Sequence, residues 1–292
     1  MTENATSITP QWNDVRASWD SLQVLRRGES KEIRIVDDAH VIVRMIPSLY
    51  SYTQNRSAVI EGTDTARLRS FQRLAAMLKR SGVDVATVAF GDDYYITRRL
   101  KKDGKDYVPP LEVIVKARHV GTPKHSLYRI EDYPTLDGGH FRPDQPHLPY
   151  VRFDYTNPLT NSDGQRLRDE CIPNQLAAHF IDVAAAEQTA MAAFGCLFAH
   201  LSTCGIRLDD ICLKIDHTGR VVFGEISPDC MRSAWVGEED DFFGLMGEDT
   251  SKDTFRAGSS PEVVRNRYDR FVALLNRPVR APVSPFSSPS IG

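Results

Sequence analysis

Cysteine is scarce and unpatterned here: five residues, Cys171, Cys196, Cys204, Cys212 and Cys230, occur among 292, and none is spaced Cys-x-x-Cys. An odd, scattered set excludes a disulfide-stapled scaffold and a cysteine-rich zinc module, and fits reduced, buried thiols. Long apolar runs are lacking too. The longest, Met191 to Ala199, is far shorter than the roughly 20 residues that span a bilayer. Charge of one sign is not in excess: 36 Lys and Arg face 39 Asp and Glu, a net charge of −3. That excludes a global attraction to nucleic acid or to an anionic membrane and makes any polyanion recognition local. The opening stretch, MTENATSITPQWND, has no apolar core, so no secretory signal is expected and a cytoplasmic location is. Neither a Walker A loop, a Gly-x-Ser-x-Gly elbow nor a Gly-x-Gly-x-x-Gly fingerprint is present, which argues against P-loop, serine-hydrolase and Rossmann chemistry. No internal repeat is found.

What is there is ordinary globular material, 41% hydrophobic, 26% charged and 9% aromatic, long enough for one large or two small cores. Residues 1–14 read as a flexible leader, and the Pro- and Ser-rich segment 277–292 as a disordered tail. Between them, Glu32–Val36 and His40–Met45 flank Asp37 and Asp38 and predict a β-hairpin. Thr63–Arg80 places Leu68, Phe71, Leu74, Ala75 and Leu78 at helical spacing, stopped by Gly82. Val83–Phe90 and Tyr94–Leu100 predict a second hairpin, and Leu111–Val115 a further strand. The stretch Tyr133–Asn161 reads as a loop bordering an active site. Asn174–Cys204 reads as one long central helix, with Glu187 on its apolar stripe unless that stripe is rotated.

Three segments concentrate chemistry. Leu213–Trp235 predicts a hairpin turning at Thr218 and Gly219, in which Asp216 faces Val221, Lys214 faces Phe223 and Cys212 faces Glu225, so that Lys214, Asp216 and Glu225 share a face. Two readings stand: a solvated face with a salt bridge, or carboxylates converging on a divalent cation. Pro110–Ser126 runs a strand into Lys116, Arg118, His119, Gly121, Thr122, Lys124 and His125, either a basic surface loop or a phosphate-holding turn. The basic turn Arg26–Lys31 is weak evidence by itself.

In combination these segments resemble the SAICAR synthetase (phosphoribosylaminoimidazole-succinocarboxamide synthase) family over most of the chain. Gly28 to Lys31 resembles its Gly-Lys-x-Lys turn, and Arg98, Arg99 and Leu100 its Lys-Lys-Leu strand end. Pro110, Glu112, Lys116, Gly121 and Thr122 follow its Pro-x-Glu-x-x-x-Arg-x-x-x-x-Gly-Ser stretch. Lys214 to Asp216 resembles its Lys-x-Glu strand, and Glu225, Ser227, Pro228, Asp229 and Arg232 its Asp-Glu-x-Ser-Pro-Asp-x-x-Arg signature. Lys252, Asp253, Phe255 and Arg256 are similar to its Lys-Asp-x-Phe-Arg element.

The resemblance implies an α+β or α/β fold in two parts, related to ATP-grasp enzymes: a small, β-rich ATP-binding lobe over residues 15–108 and a larger α/β catalytic and substrate lobe over 109–276. It implies a ligase that uses ATP and Mg²⁺ to join L-aspartate to an aminoimidazole carboxylate nucleotide or nucleoside. The partners expected are small molecules, with no nucleic acid and no membrane, and a homo-oligomer is left open. By position, Lys31, Arg98 and Arg99 would contact ATP, and Asp216 and Glu225 would hold Mg²⁺. Lys116, Arg118, Gly121, Thr122 and Arg232 would grip the substrate, and Lys214 and Asp229 would orient the reacting carboxylate and amine.

The departures fall on substrate and ATP contacts alike. Glu29 stands where the family has Lys, Lys116 replaces Arg, Asp216 replaces Glu, and Gly224–Glu225 replaces the Asp-Glu pair. They point to an alternative: a paralogue in specialised nucleoside metabolism with another carboxylate or amine. A non-catalytic nucleotide-binding relative and a phosphotransferase are the other readings.

Overall fold

The computed structural model of the chain describes residues 10–51, 56–121, 129–164, 167–236 and 248–277. The first hairpin forms as its spacing predicts. Strands β1 (Val24–Arg27), β2 (Lys31–Ile35) and β3 (His40–Met45) pair antiparallel, and the Asp37 carboxylate closes the β2–β3 turn by accepting from the amides of Ala39 and His40. A short pair, β4 (Ser48–Ser51) and β5 (Arg56–Val59), leads into helix α2 (Thr63–Arg80), which has the predicted bounds. Strands β6 (Thr87–Phe90) and β7 (Tyr94–Arg98) complete a sheet ordered β1-β2-β3-β7-β6.

Period-two alternation splits this sheet between two cores. Val41, Val43, Met45 and Tyr95 face α2, where Phe71 meets the Tyr95 ring edge-on at 5.1 Å. Ile42, Tyr94 and Ile96 face the other way, onto Trp19 and Trp12. Trp12 belongs to helix α1 (Pro10–Ala17), so the described end of the expected leader is folded: an indole at 7% exposure buries too much apolar area to stay loose.

A small ribbon, β8 (Lys101–Lys102) with β9 (Lys105–Asp106), links to the second sheet. There β10 (Leu111–Arg118) lies between β11 (Pro146–Tyr155) and β13 (Ile206–Ile215); β12 (Glu170–Ile172) extends one edge, while β14 (Val222–Phe223) and β15 (Met231–Trp235) share the other side of β13. Strand β11 corrects the expected loop over Tyr133–Asn161. Pro146 and Pro149 suggest a break, but β11 pairs residue for residue from Leu111↔Tyr155 to Lys116↔Tyr150, and tertiary pairing overrides local propensity.

The expected single helix over Asn174–Cys204 is two, α3 (Asn174–Ala177) and α4 (Val183–Thr203). Asp182 caps α4 by accepting from the Ala185 amide at 3.0 Å, which starts a new helix there. Ala186, Ala190, Ala193, Leu197 and Leu201 form the buried seam of α4 against the sheet. The stripe is therefore rotated from the one that includes Glu187, whose carboxylate accepts from the Asn174 amide instead. Helices α5 (Asp253–Arg256) and α6 (Pro261–Leu275) close the body, α6 packing on α2 through Tyr268, Val264 and Ala66. No helix among the described residues is long and apolar enough to cross a membrane. The two sheets are stitched directly: Val222 donates to the Asp84 carbonyl and accepts from the Ala86 amide. The tail beyond Arg277 lies outside the described residues.

Candidate active site

The hairpin register is the predicted one. Lys214 pairs with Phe223, and the Asp216 amide donates to the Val221 carbonyl. Its carboxylates nonetheless part company. The Asp216 carboxylate folds into its own turn, accepting from the amides of Arg220 at 3.1 Å and Val221 at 2.9 Å and from the Thr218 hydroxyl at 2.9 Å. Gly224, at φ +79°, takes the chain out of the ladder, so Glu225 leaves the register that would place it opposite Cys212.

Glu225 is buried between two cations. Arg67, from the second turn of α2 and wholly buried, grips it with both Nε and Nη2 at 2.7 Å, and Lys31 Nζ lies 2.7 Å from Oε2. The Ser227 hydroxyl contacts Oε1. Burial works against the charge on Glu225, but Arg67 and Lys31 outweigh it and hold the carboxyl well below its usual range. The same pairing raises Lys31 despite its own desolvation.

These carboxylates do not fit the Mg²⁺ that the resemblance implies. A hard divalent cation needs open oxygen ligands, whereas Glu225 has both oxygens committed to cations and Asp216 is wrapped by backbone amides. Among the described residues, no group of three or more His, Cys, Asp or Glu side chains is placed to hold a metal ion. In this structure Asp216 and Glu225 do not converge as a shared-face pair.

The remaining expected residues form two groups. Lys116, Arg118, Gly121 and Arg232 come together around two consecutive acids of β13. Lys116 Nζ and Arg232 Nη1 meet on Asp210 Oδ2 at 3.0 and 2.9 Å, and Arg118 Nε reaches Asp209 at 3.0 Å. Gly121, at φ +103°, lies so close over the Arg232 guanidinium that an added Cβ would come within 2.8 Å of Cζ. Burial pulls the Lys116 ammonium below the usual lysine range against the opposing pull of Asp210. Arg232 also bonds Asp253 at 2.7 Å, while the neighbouring Lys252 bonds Asp229 at 3.2 Å. Thr122 and His125 lie outside the described residues.

Lys214 stands apart, donating to the Leu111 carbonyl and the Thr156 hydroxyl within the sheet. Asp229 accepts from Tyr268 and Lys252, and despite burial and the neighbouring Glu225 the charges of Lys252 and Arg67 hold its carboxyl below the usual range. Arg98 pairs with Asp84 and Arg99 with Asp106, at the end of the first sheet opposite Lys31: Arg98 opposes His40, whereas Lys31 opposes Met45. His119 bonds Glu131 at 2.6 Å.

Sequence reasoning misses Arg67, Asp209 and Asp210. Their signals exist: Arg67 precedes Phe71 by four residues on the buried stripe of α2, and the two acids interrupt the otherwise apolar alternation of Ile206, Leu208, Ile211, Leu213 and Ile215.

This two-sheet arrangement is the SAICAR synthetase fold. A SAICAR synthetase (Type-2) in complex with ADP superposes with a TM-score of 0.66 at 20% identity, over 89% of this chain and all of that one. The phosphoribosylaminoimidazole-succinocarboxamide synthase from Ehrlichia chaffeensis gives 0.67 at 17%, over 87% of this chain and 98% of that one. The SAICAR synthase from Saccharomyces cerevisiae complexed with SAICAR gives 0.64 at 15%, over 87% and 94%. In sequence, the chain is 26% identical over 295 residues to the "bifunctional cordycepin biosynthesis cluster protein 3" of Cordyceps militaris, covering 87% of this chain. The chain spans about a third of the length of that curated relative, 33%. No protein-family model matches the chain.

Proposed function

We propose that the protein is an ATP-dependent carbon–nitrogen ligase of specialised nucleoside metabolism. It activates a heteroaromatic carboxylate on a nucleoside or nucleotide as an acyl phosphate and couples it to an amine, L-aspartate being the one the resemblance implies. The fold supports the enzyme class, and the name of the fungal relative supports a nucleoside pathway outside primary purine synthesis.

The observation that carries the reading is the joining of two clusters along one seam. Lys31 is drawn from the first sheet toward the second by Glu225, a position suited to nucleotide phosphates. The Asp210–Arg232–Asp253 cluster meets the Asp229–Lys252 pair at the consecutive residues Lys252 and Asp253. A nucleotide and an acceptor can thus share the seam between the lobes, as an ATP-grasp-like arrangement requires.

The chemistry follows from the weakness of a carboxylate as an electrophile. A carboxylate oxygen attacks the γ-phosphorus of ATP, the bond to the bridging oxygen breaks, and ADP leaves. The amine nitrogen then attacks the acyl carbon, the C–O bond to phosphate breaks, and the ammonium protons pass to phosphate and solvent. The net products are amide, ADP, phosphate and one proton. Lys31 would position the transferring phosphoryl group, and Glu225, itself clamped by Arg67, would hold the Lys31 ammonium in place.

The test is ATP consumption with the carboxyaminoimidazole ribonucleoside or ribonucleotide and L-aspartate, each omitted in turn, with products followed by mass. Amine-dependent release of ADP and phosphate with a matching amide supports the reading, and Lys31→Ala should remove it while the protein stays folded. ATP turnover without any need for amine would make the protein a phosphotransferase. Loss of both turnover and ADP binding in the unaltered chain would sink the ATP-dependent reading.

A further inference from the structure

A cavity of about 440 Å³ opens between β13, β15 and the helices α5 and α6, beside the Arg232 cluster. Its lining carries four carboxylates, Asp144, Asp209, Asp249 and Asp253. It carries three guanidiniums, Arg207, Arg232 and Arg267. Each guanidinium already faces a carboxylate. Arg207 bonds Asp209 at 2.7 Å and Asp144 at 3.1 Å, Arg232 lies between Asp210 and Asp253, and Arg267 pairs with Glu248. Behind the lining, Lys116 and Arg118 are spent on Asp210 and Asp209.

A phosphate ester carries nearly two negative charges at neutral pH. To enter, it would have to displace these internal carboxylates from their arginines or face them across a desolvated wall. A sugar with free hydroxyls in place of the ester meets no such cost. Arg232 is buried, and its Nη2 has no hydrogen-bond partner among the described residues, so one donor awaits an acceptor. The Thr254 hydroxyl, which donates to Asp249 in the lining, keeps acceptor lone pairs for ligand hydroxyl or amino groups.

We infer that this cavity takes the sugar end of the acceptor and that it selects a nucleoside, with its free sugar hydroxyls, over the corresponding 5′-nucleotide. The inference rests on the ligase reading for the identity of the acceptor, but the charge balance of the cavity stands without it. Asp253 is the specificity-determining residue: it balances the charge of Arg232 at 2.7 Å and also engages Arg256, so that neither guanidinium carries an unbalanced positive charge for a phosphate.

The test is calorimetric titration of the full chain with 5-aminoimidazole-4-carboxamide ribonucleoside and with its 5′-monophosphate, each with and without saturating ADP. The nucleoside should bind at least about tenfold more tightly than the monophosphate, a difference of about 1.4 kcal/mol, and ADP should not displace it. Asp253→Asn should narrow or reverse the preference by releasing two guanidiniums. Should that variant fail to fold, Asp144→Asn at the exposed rim should move the preference the same way to a smaller extent. Equal or tighter binding of the monophosphate to the unaltered chain overturns the inference, as does displacement of the nucleoside by ADP. Binding of ADP without binding of the nucleoside overturns this inference and leaves the ATP-dependent reading intact; nucleoside binding without ADP binding does the reverse.

Discussion

Arg67 is the residue whose loss should be felt most. It is fully buried and forms a two-pronged ion pair with Glu225, so Arg67→Ala leaves a carboxylate buried with only Lys31 as a cation partner. Breaking a buried pair by removing one partner costs about 3–5 kcal/mol, which urea unfolding should register. The pH dependence has a definite sign. The Glu225 carboxyl sits well below its usual range in the folded chain, so its contribution is present above the unfolded value and is lost as pH falls through the folded one. The stability gap between the unaltered chain and Glu225→Gln should shrink steadily from about pH 5 downward, past the unfolded carboxyl value of about 4.3. A pH-independent gap would contradict the assignment. Asp216 predicts differently. Asp216→Ala should cost about 1–3 kcal/mol by stranding turn amides, Asp216→Asn should recover part of that, and neither should alter the Mg²⁺ concentration giving half-maximal turnover. A large rise in that concentration would restore Asp216 as a metal ligand.

At the scale of elements, helix α2 and the β2–β3 hairpin were legible because each pattern answers a local rule. Leu68, Phe71, Leu74 and Leu78 recur at helical spacing, and Asp37 caps a turn between alternating strands. Strand β11 and the break before α4 were not legible, because their causes are distant. The first exists through pairing with β10, and the second is reinforced by the β13–β14 turn, where the Asp182 amide donates to the His217 carbonyl. Gly219 marks that contact. At φ +72°, its missing Cβ would lie 2.5 Å from the Asp182 carbonyl oxygen and 2.6 Å from the Ala186 amide nitrogen. Gly219→Ala should therefore destabilise by at least about 2 kcal/mol, whereas Gly82→Ala, equally left-handed but in open space, should cost only the backbone strain of about 1 kcal/mol. Thermal unfolding of the two variants side by side checks this; equal losses would show that the turn does not seat on α4.

The whole molecule depends on what joins its two sheets. The main core runs continuously from Val43 and Phe71 through Val222 to Leu213 and Leu197, so the lobes share one interior. On the outer face of the first sheet, α1 and the turn after it lay Trp12 and Trp19 over Ile42, Tyr94 and Ile96. Removing residues 1–17 should lower the unfolding temperature and expose apolar surface there, read as increased binding of a hydrophobic dye. An unchanged temperature would mean that α1 is dispensable cover. The same truncation should leave ADP affinity unchanged, because Lys31, Glu225 and Arg67 lie on the opposite side of the sheet, with α2.

The sequence by itself determined the elements whose information is local: the hairpins, the amphipathic α2, the register of the turn at Gly219, and the ordered motifs that point to the fold. It also placed Lys31, Lys116, Glu225, Asp229 and Arg232 among the charged residues of interest. Only the tertiary structure decided which of them meet. One left-handed glycine, Gly224, separates Glu225 from Asp216, and a helix arriving from the other lobe delivers Arg67 to Glu225. The physical reason is range: backbone hydrogen-bond patterns repeat within a few residues, whereas a buried charge is paired by whatever the packed core brings within about 3 Å.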